Sequence, residues 1–241
     1  MTKLGPANQA ARSMTEKEAQ GSSMDWKAWE AAGHPLPGEQ AHASMMPYAR
    51  SSADEARRRG QAGKDFREAA VLIGLEANGT ITLIERTPEK GPHGGQMALP
   101  GGAREPGESM VNCAIREWRE ELGLPESCRP LQPPVALTEV HVVPSNFIVR
   151  PFVAPVQLPE ILAPDPIEVA VVHRIQVSDL VGARHRTEQP VHVHMPGSAP
   201  FQWTAPGFAL PGVPFVWGAT ALMLSEVAAW YGQWAVARSS M

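Results

Sequence analysis

The sequence predicts an α/β fold, a sandwich built on a mixed sheet, and three observations carry that prediction. Short β-branched runs fill the middle of the chain, one glycine-introduced segment of helical period interrupts them, and a long apolar stretch without proline closes it. The chain has 241 residues, of which 19% are charged and 43% hydrophobic, with 25 acidic against 21 basic side chains for a net charge of −4. These values exclude a collagen, an acidic disordered tail and a polybasic nucleic-acid arm. The length suits one well-filled domain with extensions, far more than a packed core needs.

In chain order, residues 1–45 are polar, with Trp26 and Trp29 as the large apolar groups, and read as a loosely held arm. Residues 46–241 form the domain, with a core over about 66–236. The segment ADEARRRGQ, 53–61, is helix-compatible but polar all round, a solvated surface turn. AAVLIGLEA and TITLIER flank Asn78-Gly79, a strong hairpin signal, so two paired antiparallel strands are expected. After a glycine-rich stretch, 91–107, a helix is expected over 109–122. Four strand candidates follow, PVALTEVHV, FIVRPFVAPV, EVAVVHRIQV and PVHVHM, and then a long helix over 216–237. His192 and His194 alternate on the last candidate strand and read as ordinary strand residues more readily than as a metal pair.

No apolar stretch near the N-terminus matches the roughly 7 to 15 residues of a secretory signal. Val213–Leu224 contains Pro214 and Gly218 and falls short of the roughly 20 residues that span a bilayer. Cys113 and Cys128 are the two cysteines, too few for a disulfide scaffold. The expectation is a cytoplasmic protein with neither membrane nor nucleic acid as a partner. Trp217, Trp230 and Trp234 either fill the core or form a subunit contact, and the second case would make a homodimer.

The chemistry concentrates in the helix over 109–122. Val111, Ile115, Trp118 and Leu122 fall within about 60° of one another and give an apolar stripe toward the sheet. Glu117, Glu120 and Glu121 lie on another arc as neighbours at i, i+3 and i+4, where each like-charge pair costs about a few tenths of a kcal/mol. A divalent cation would remove that repulsion. Oxygen-only donors suit Mg²⁺ or Mn²⁺ rather than zinc, and a solvated acidic face is the plainer alternative. Gly123 fits a left-handed helix cap, with Leu124 as its apolar partner and Pro125 as a stop. Upstream, Gly101 and Gly102 let backbone approach a ligand, and Gly107-Glu108 opens the helix near its positive end.

Gly102, Glu108 and the run REWREELGL that follows reproduce the pattern G-x5-E-x7-R-E-U-x-E-E-x-G-U. This stretch resembles the signature box of the Nudix hydrolases. Trp118 stands where that box has an aliphatic residue, a departure expected to affect packing more than chemistry. Residues 83–102, LIERTPEKGPHGGQMALPGG, resemble the segment that marks the coenzyme A pyrophosphatase branch, with Gly91 and Leu99 where many members have arginine and phenylalanine. PSNFIVRPFVA, PDPIEV and WGATALMLSE extend the likeness over roughly residues 35–230.

The resemblance implies a Nudix-type α/β/α sandwich and Mg²⁺- or Mn²⁺-dependent hydrolysis of a pyrophosphate. For this branch, CoA or acyl-CoA would give 4'-phosphopantetheine and 3',5'-ADP. Glu117, Glu120 and Glu121 would be metal ligands, helped by a backbone carbonyl near Gly101 or Gly102, and Arg116 would orient the glutamates. Glu117 could instead act as base. Glu168 is a candidate base or further ligand, with a surface salt bridge as its structural alternative. Arg86, Lys90, His93 and Gln96 are the candidates for binding a CoA-like nucleotide, and the first three could equally be solvated loop groups. ADP-ribose or NADH hydrolysis, or a nucleotide-binding Nudix sensor without turnover, are the alternatives; intact box glutamates count against the sensor.

Overall fold

The computed structural model describes residues 37–46, 66–88, 93–142, 145–193, 199 and 201–239. The expected turn over 53–61 and both Trp26 and Trp29 lie outside these residues, as does His194. Strand β1 (Arg67–Leu75) is the centre of the main sheet and is apolar on both faces because a helix covers each. Ala69, Val71, Ile73 and Leu75 join one core cluster, while Ala70 and Leu72 join the other.

The turn at Asn78 leads into β2 (Thr80–Arg86), with the Thr80 N–H donating to Asn78 Oδ1 at 3.0 Å. The two strands pair antiparallel at Leu75 and Ile81, as the hairpin signal predicts. Beyond that point they part. Strand β4 (Gly101–Ala103) takes the place beside β1, with Ala69 opposite Ala103 and Val71 opposite Gly101. The reading of a simple paired hairpin is therefore corrected over most of its length. A Cβ on Gly101 would lie 2.4 Å from the Ala70 carbonyl oxygen, so only a chain lacking a side chain can enter this slot. Freed from β1, β2 pairs with β3 (Met97–Ala98) and β8 (Val169–Gln176).

On the other flank, β7 (Phe147–Pro155) runs parallel to β1 from Arg67 opposite Phe147 to Leu75 opposite Pro155. The expected single strand PVALTEVHV is two short ones, β5 (Val135–Ala136) and β6 (Val140–Val142), both antiparallel to β7. A second, antiparallel sheet holds β9 (Arg186–Val193), β10 (Phe201–Phe208) and β11 (Val216–Trp217). Strand β10 has no counterpart in the sequence reading because Pro206 and Gly207 disguise it, and Val216-Trp217, assigned there to the last helix, is strand.

Among the described residues three α-helices complete the fold: α1 (Gly38–His42), α2 (Met110–Leu122) and α3 (Gly218–Ser239). Helix α2 packs on the Ala70 face of β1 and α3 on the Val71 face, which makes an α/β/α sandwich with a mixed sheet. No helix among the described residues is long and apolar enough to cross a membrane.

The loosely held arm does not extend to residue 45, because α1 and the turn Ala43–Met45 pack into the domain, burying His42 and Met45. The cause is Glu226 of α3, which is 0% exposed and so needs donors inside the protein. It accepts from the Gly38 N–H at 3.2 Å, the Thr138 N–H at 3.1 Å and the Thr138 hydroxyl at 2.9 Å, and meets His42 Nε2 at 3.2 Å. Thr138, between β5 and β6, interrupts the strand to make these bonds. Glu226→Ala should strand several buried donors together and lower the unfolding free energy by about 3 kcal/mol or more, read from urea denaturation. A loss below about 1 kcal/mol would show that the cluster does not hold the N-terminal segment.

Candidate active site

Helix α2 is fixed at both ends by its own sequence. Ser109 caps the start, its Oγ accepting the Asn112 N–H at 3.3 Å. Gly123 ends it at φ 63°, with its N–H on the Glu120 carbonyl and the Leu124 N–H on the Arg119 carbonyl. The buried residues are Cys113, Ala114, Trp118, Glu121 and Leu122, while Val111 and Ile115 are half-buried. The buried face is thus rotated from the predicted stripe toward the glutamates, because the β4 glycines leave room for carboxylates against the sheet.

Glu121 is 2% exposed; its Oε2 accepts the Gly101 N–H at 2.8 Å and its Oε1 lies 3.7 Å from an Arg86 terminal nitrogen. Burial is the main cause pushing its pKa up to about 7, opposed by the Gly101 bond and Arg86 and reinforced by the charges of Glu117 and Glu168. Glu117 sits under Gly102, where an added Cβ would lie 2.4 Å from its carboxyl carbon. Burial also raises the Glu117 pKa, against Arg116 and with Glu120 and Glu168. Glu168, placed ahead of β8, therefore shares one electrostatic environment with Glu117 and Glu121.

Arg116 ties the helix to the preceding loop. It bonds Glu108 through Nε at 2.9 Å and a terminal nitrogen at 3.1 Å, Glu117 at 2.8 Å, Glu120 at 3.0 Å and the Ala103 carbonyl at 3.2 Å. The paired Arg116 holds the Glu108 carboxyl below its ordinary range, and the carboxylates raise Arg116. The Glu120 side chain is 60% exposed and turned to Arg116 rather than toward β4. Among the described residues no three His, Cys, Asp or Glu side chains are grouped closely enough to hold a metal ion. Cys113, buried beneath the same loop with its thiol pushed up to about 11, mainly by burial, is a packing residue.

Arg86 and Gln96 face each other across a turn, the Arg86 N–H on the Gln96 carbonyl at 3.1 Å, and His93 Nδ1 lies 3.3 Å from Gln96 Oε1. Arg86 Nε and His93 Nε2 are buried with no hydrogen-bond partner among the described residues. Lys90 and Gly91 lie outside the described residues. Arg86, His93 and Gln96 line one corner of a cleft of about 620 Å³, and Gly101 and Gly102 form part of its wall. The structure thus gathers Glu117, Glu121 and Arg86 around the β4 glycines, with Arg86 and the glycines lining the cleft and the two carboxylates behind the glycines, and leaves Glu120 to one side. Residues the sequence reading missed here are Phe201, Trp203 and Thr220 on the far wall, which no local motif marks.

The donor set suits a hard divalent cation. Glu117 and Glu121 offer oxygen donors only, and burial, the main cause of the raised pKa of each, takes from these carboxylates the water that would otherwise solvate their charge.

In chelator, Glu121 contributes a stability loss that grows as pH rises from about 4.5 to about 7, because the unfolded chain ionises first while the folded one retains the proton. Urea midpoints at pH 5 and pH 8 should therefore fall less for Glu121→Gln than for the parent protein; equal slopes would remove Glu121 as the cause. Gly102→Ala should displace the Glu117 carboxylate and lower kcat by about a hundredfold while leaving the unfolding midpoint nearly unchanged. Normal turnover in that variant would show that Glu117 need not lie where it does.

Residues 65–194 match the family model of the NUDIX domain. The chain is 32% identical to the human mitochondrial coenzyme A diphosphatase NUDT8 over 64% of its own length and 65% of that protein's, so it spans just under two thirds of that relative. It is 29% identical to the uncharacterized Nudix hydrolase NudL of Cronobacter sakazakii, over 69% of this chain and 84% of that one. Among solved structures, the MutT protein from Methanosarcina mazei Go1 is similar with a TM-score of 0.43 and 18% identity, covering 50% of this chain and 83% of that one. The box residues, with Gly101 and Gly102 folded onto the carboxylates of α2, lie inside the matched range, and the chain belongs to the Nudix family of hydrolases.

Proposed function

We propose that this Nudix hydrolase cleaves the pyrophosphate bond of coenzyme A or acyl-CoA, adding water across it to give 4'-phosphopantetheine and 3',5'-ADP. One observation carries the reading: Arg86 spans from the cleft to Glu121 with a buried Nε that has no hydrogen-bond partner among the described residues, an anion site beside carboxylates. The similarity to a coenzyme A diphosphatase supports the choice of substrate.

Glu117 and Glu121 are the residues that would hold Mg²⁺ or Mn²⁺, with Glu120, Glu168 and the Gly101 backbone as further candidates. Such an ion, when bound, neutralises diphosphate charge and activates water. Arg86 binds a phosphate oxygen, His93 and Gln96 border that anion from the same turn, and Lys90, between them in sequence, is a further candidate for it. Arg116 positions Glu117 and Glu120 by holding both to the Glu108 loop. Glu168 or Glu117 accepts the proton of the attacking water. We place the reaction in the cytoplasm, where free Cys113 and Cys128 stay reduced.

The test is purified protein with Mg²⁺ and a panel of CoA, dephospho-CoA, ADP-ribose and NADH, with products identified by mass. CoA should be converted to the two named products, turnover should stop in EDTA, and Glu121→Gln should lower kcat by about a hundredfold or more with the fold retained. Untouched CoA beside rapid cleavage of ADP-ribose would overturn the substrate, and binding of every compound without cleavage would favour a sensor.

A further inference from the structure

The cleft has two chemically different ends. Arg86, His93 and Gln96 occupy one corner, and β4 separates it from the carboxylates of α2. The remaining wall is small or apolar: Val71 and Val149 from the main sheet, Ala219 and Met223 from α3, and one face of β10. That face carries Phe201, Trp203 and Ala205 at alternate positions, all turned into the cleft. Phe201 and Trp203 are 40% and 37% exposed, and their rings meet edge to face at 6.2 Å. Leu99 adds to the same lining.

A nucleobase in such a site requires in-plane donors and acceptors to fix its edge. Away from the Arg86 corner the lining offers Ser145, the indole nitrogens of Trp203 and Trp217, and Thr220, whose hydroxyl already donates to the Met97 carbonyl at 3.0 Å. A hydrocarbon chain needs none of these groups and is stabilised by the apolar area it loses to water. Strands β10 and β11 and helix α3 follow residue 194, where the Nudix family match ends. The wall is thus supplied by a part of the chain outside the shared domain.

We propose that the β10 face is a specificity wall for an acyl chain on the substrate, with Phe201 and Trp203 as the determining residues. This rests on the reading of the cleft as the diphosphate site, since Arg86 and the β4 glycines are common to both. The diphosphate lies at the Arg86 corner and the chain extends along β10 toward α3. Preference for an acylated substrate then resides in the second sheet, independent of the glutamates of the box.

The test has a kinetic and a binding arm. Free CoA and octanoyl-CoA are compared by kcat/KM, and both are titrated against the full chain by tryptophan fluorescence. Octanoyl-CoA should be favoured about tenfold or more in each arm, and Phe201→Ser and Trp203→Ser should reduce that ratio severalfold through KM, not kcat. A ratio near one in the parent protein, or one unchanged by both substitutions, overturns the wall. Equal weakening of both ligands means that the wall holds the nucleobase instead, which also overturns it. If neither compound is cleaved while ADP-ribose is, the CoA reading fails by itself, and the octanoyl preference in the titration still decides the wall.

Discussion

The structure depends on a slot one backbone wide beside the central strand. Gly101 and Gly102 enter it between β1 and the diverging β2, approaching Ala70 and Val71 on one side and the Glu117 carboxylate on the other. A side chain at either position would require backbone or carboxylate to move. The slot has two effects at once. It exposes the Gly101 N–H to Glu121, which gives a buried carboxylate one strong donor, and it lets α2 turn its acidic arc toward the sheet rather than to water. The rotation of the buried face away from the predicted stripe follows from this slot and from no property of the helix taken alone.

Two buried glutamates are handled in opposite ways, and the contrast separates structure from chemistry. Glu226 is surrounded by hydrogen-bond partners from two other parts of the chain, Gly38 and His42 of α1 and Thr138 between β5 and β6. Its demand for hydrogen bonds is met, and the result is a clasp that brings the segment from residue 37 onto α3. Glu121 has one backbone donor, a cation at 3.7 Å and two carboxylates that oppose its charge. A buried acid left in that condition is costly unless a ligand completes it. Completion by a cation and an anionic substrate is the function proposed for it.

Much of this could be read from the sequence where the physics is local. The Gly123 cap and the spacing of Glu117, Glu120 and Glu121 are encoded within a few residues of one another, so the helix and its acids are legible at sight, whereas the Ser109 cap was seen only in the structure. The partition of those acids was not. Glu120 has the same spacing as its neighbours, yet Arg116 holds it on the exposed side, and the outcome depends on where β4 enters the sheet. The parting of β1 and β2 was hidden for the same reason, since Asn78-Gly79 specifies a turn and says nothing of how far pairing runs beyond it. Strand β10 was missed because Pro206 and Gly207 lie in a strand whose partner, β9, supplies the register through long-range pairing.

The parting of β1 and β2 also explains why recognition and chemistry can vary separately in this fold. Once β4 fills the gap, its glycines are a thin partition with carboxylates on one side and the cleft on the other. Residues that set charge compensation come from α2 and the adjoining loops, within the family match. One wall of the cleft, with Phe201 and Trp203 of β10 and Ala219 and Met223 of α3, comes from beyond it. Substitutions in the second set alter what can lie against the partition without disturbing the helix that carries the acids. On the reading proposed here, the box sets the reaction, and the chain that folds back over the sheet after β9 contributes to substrate choice.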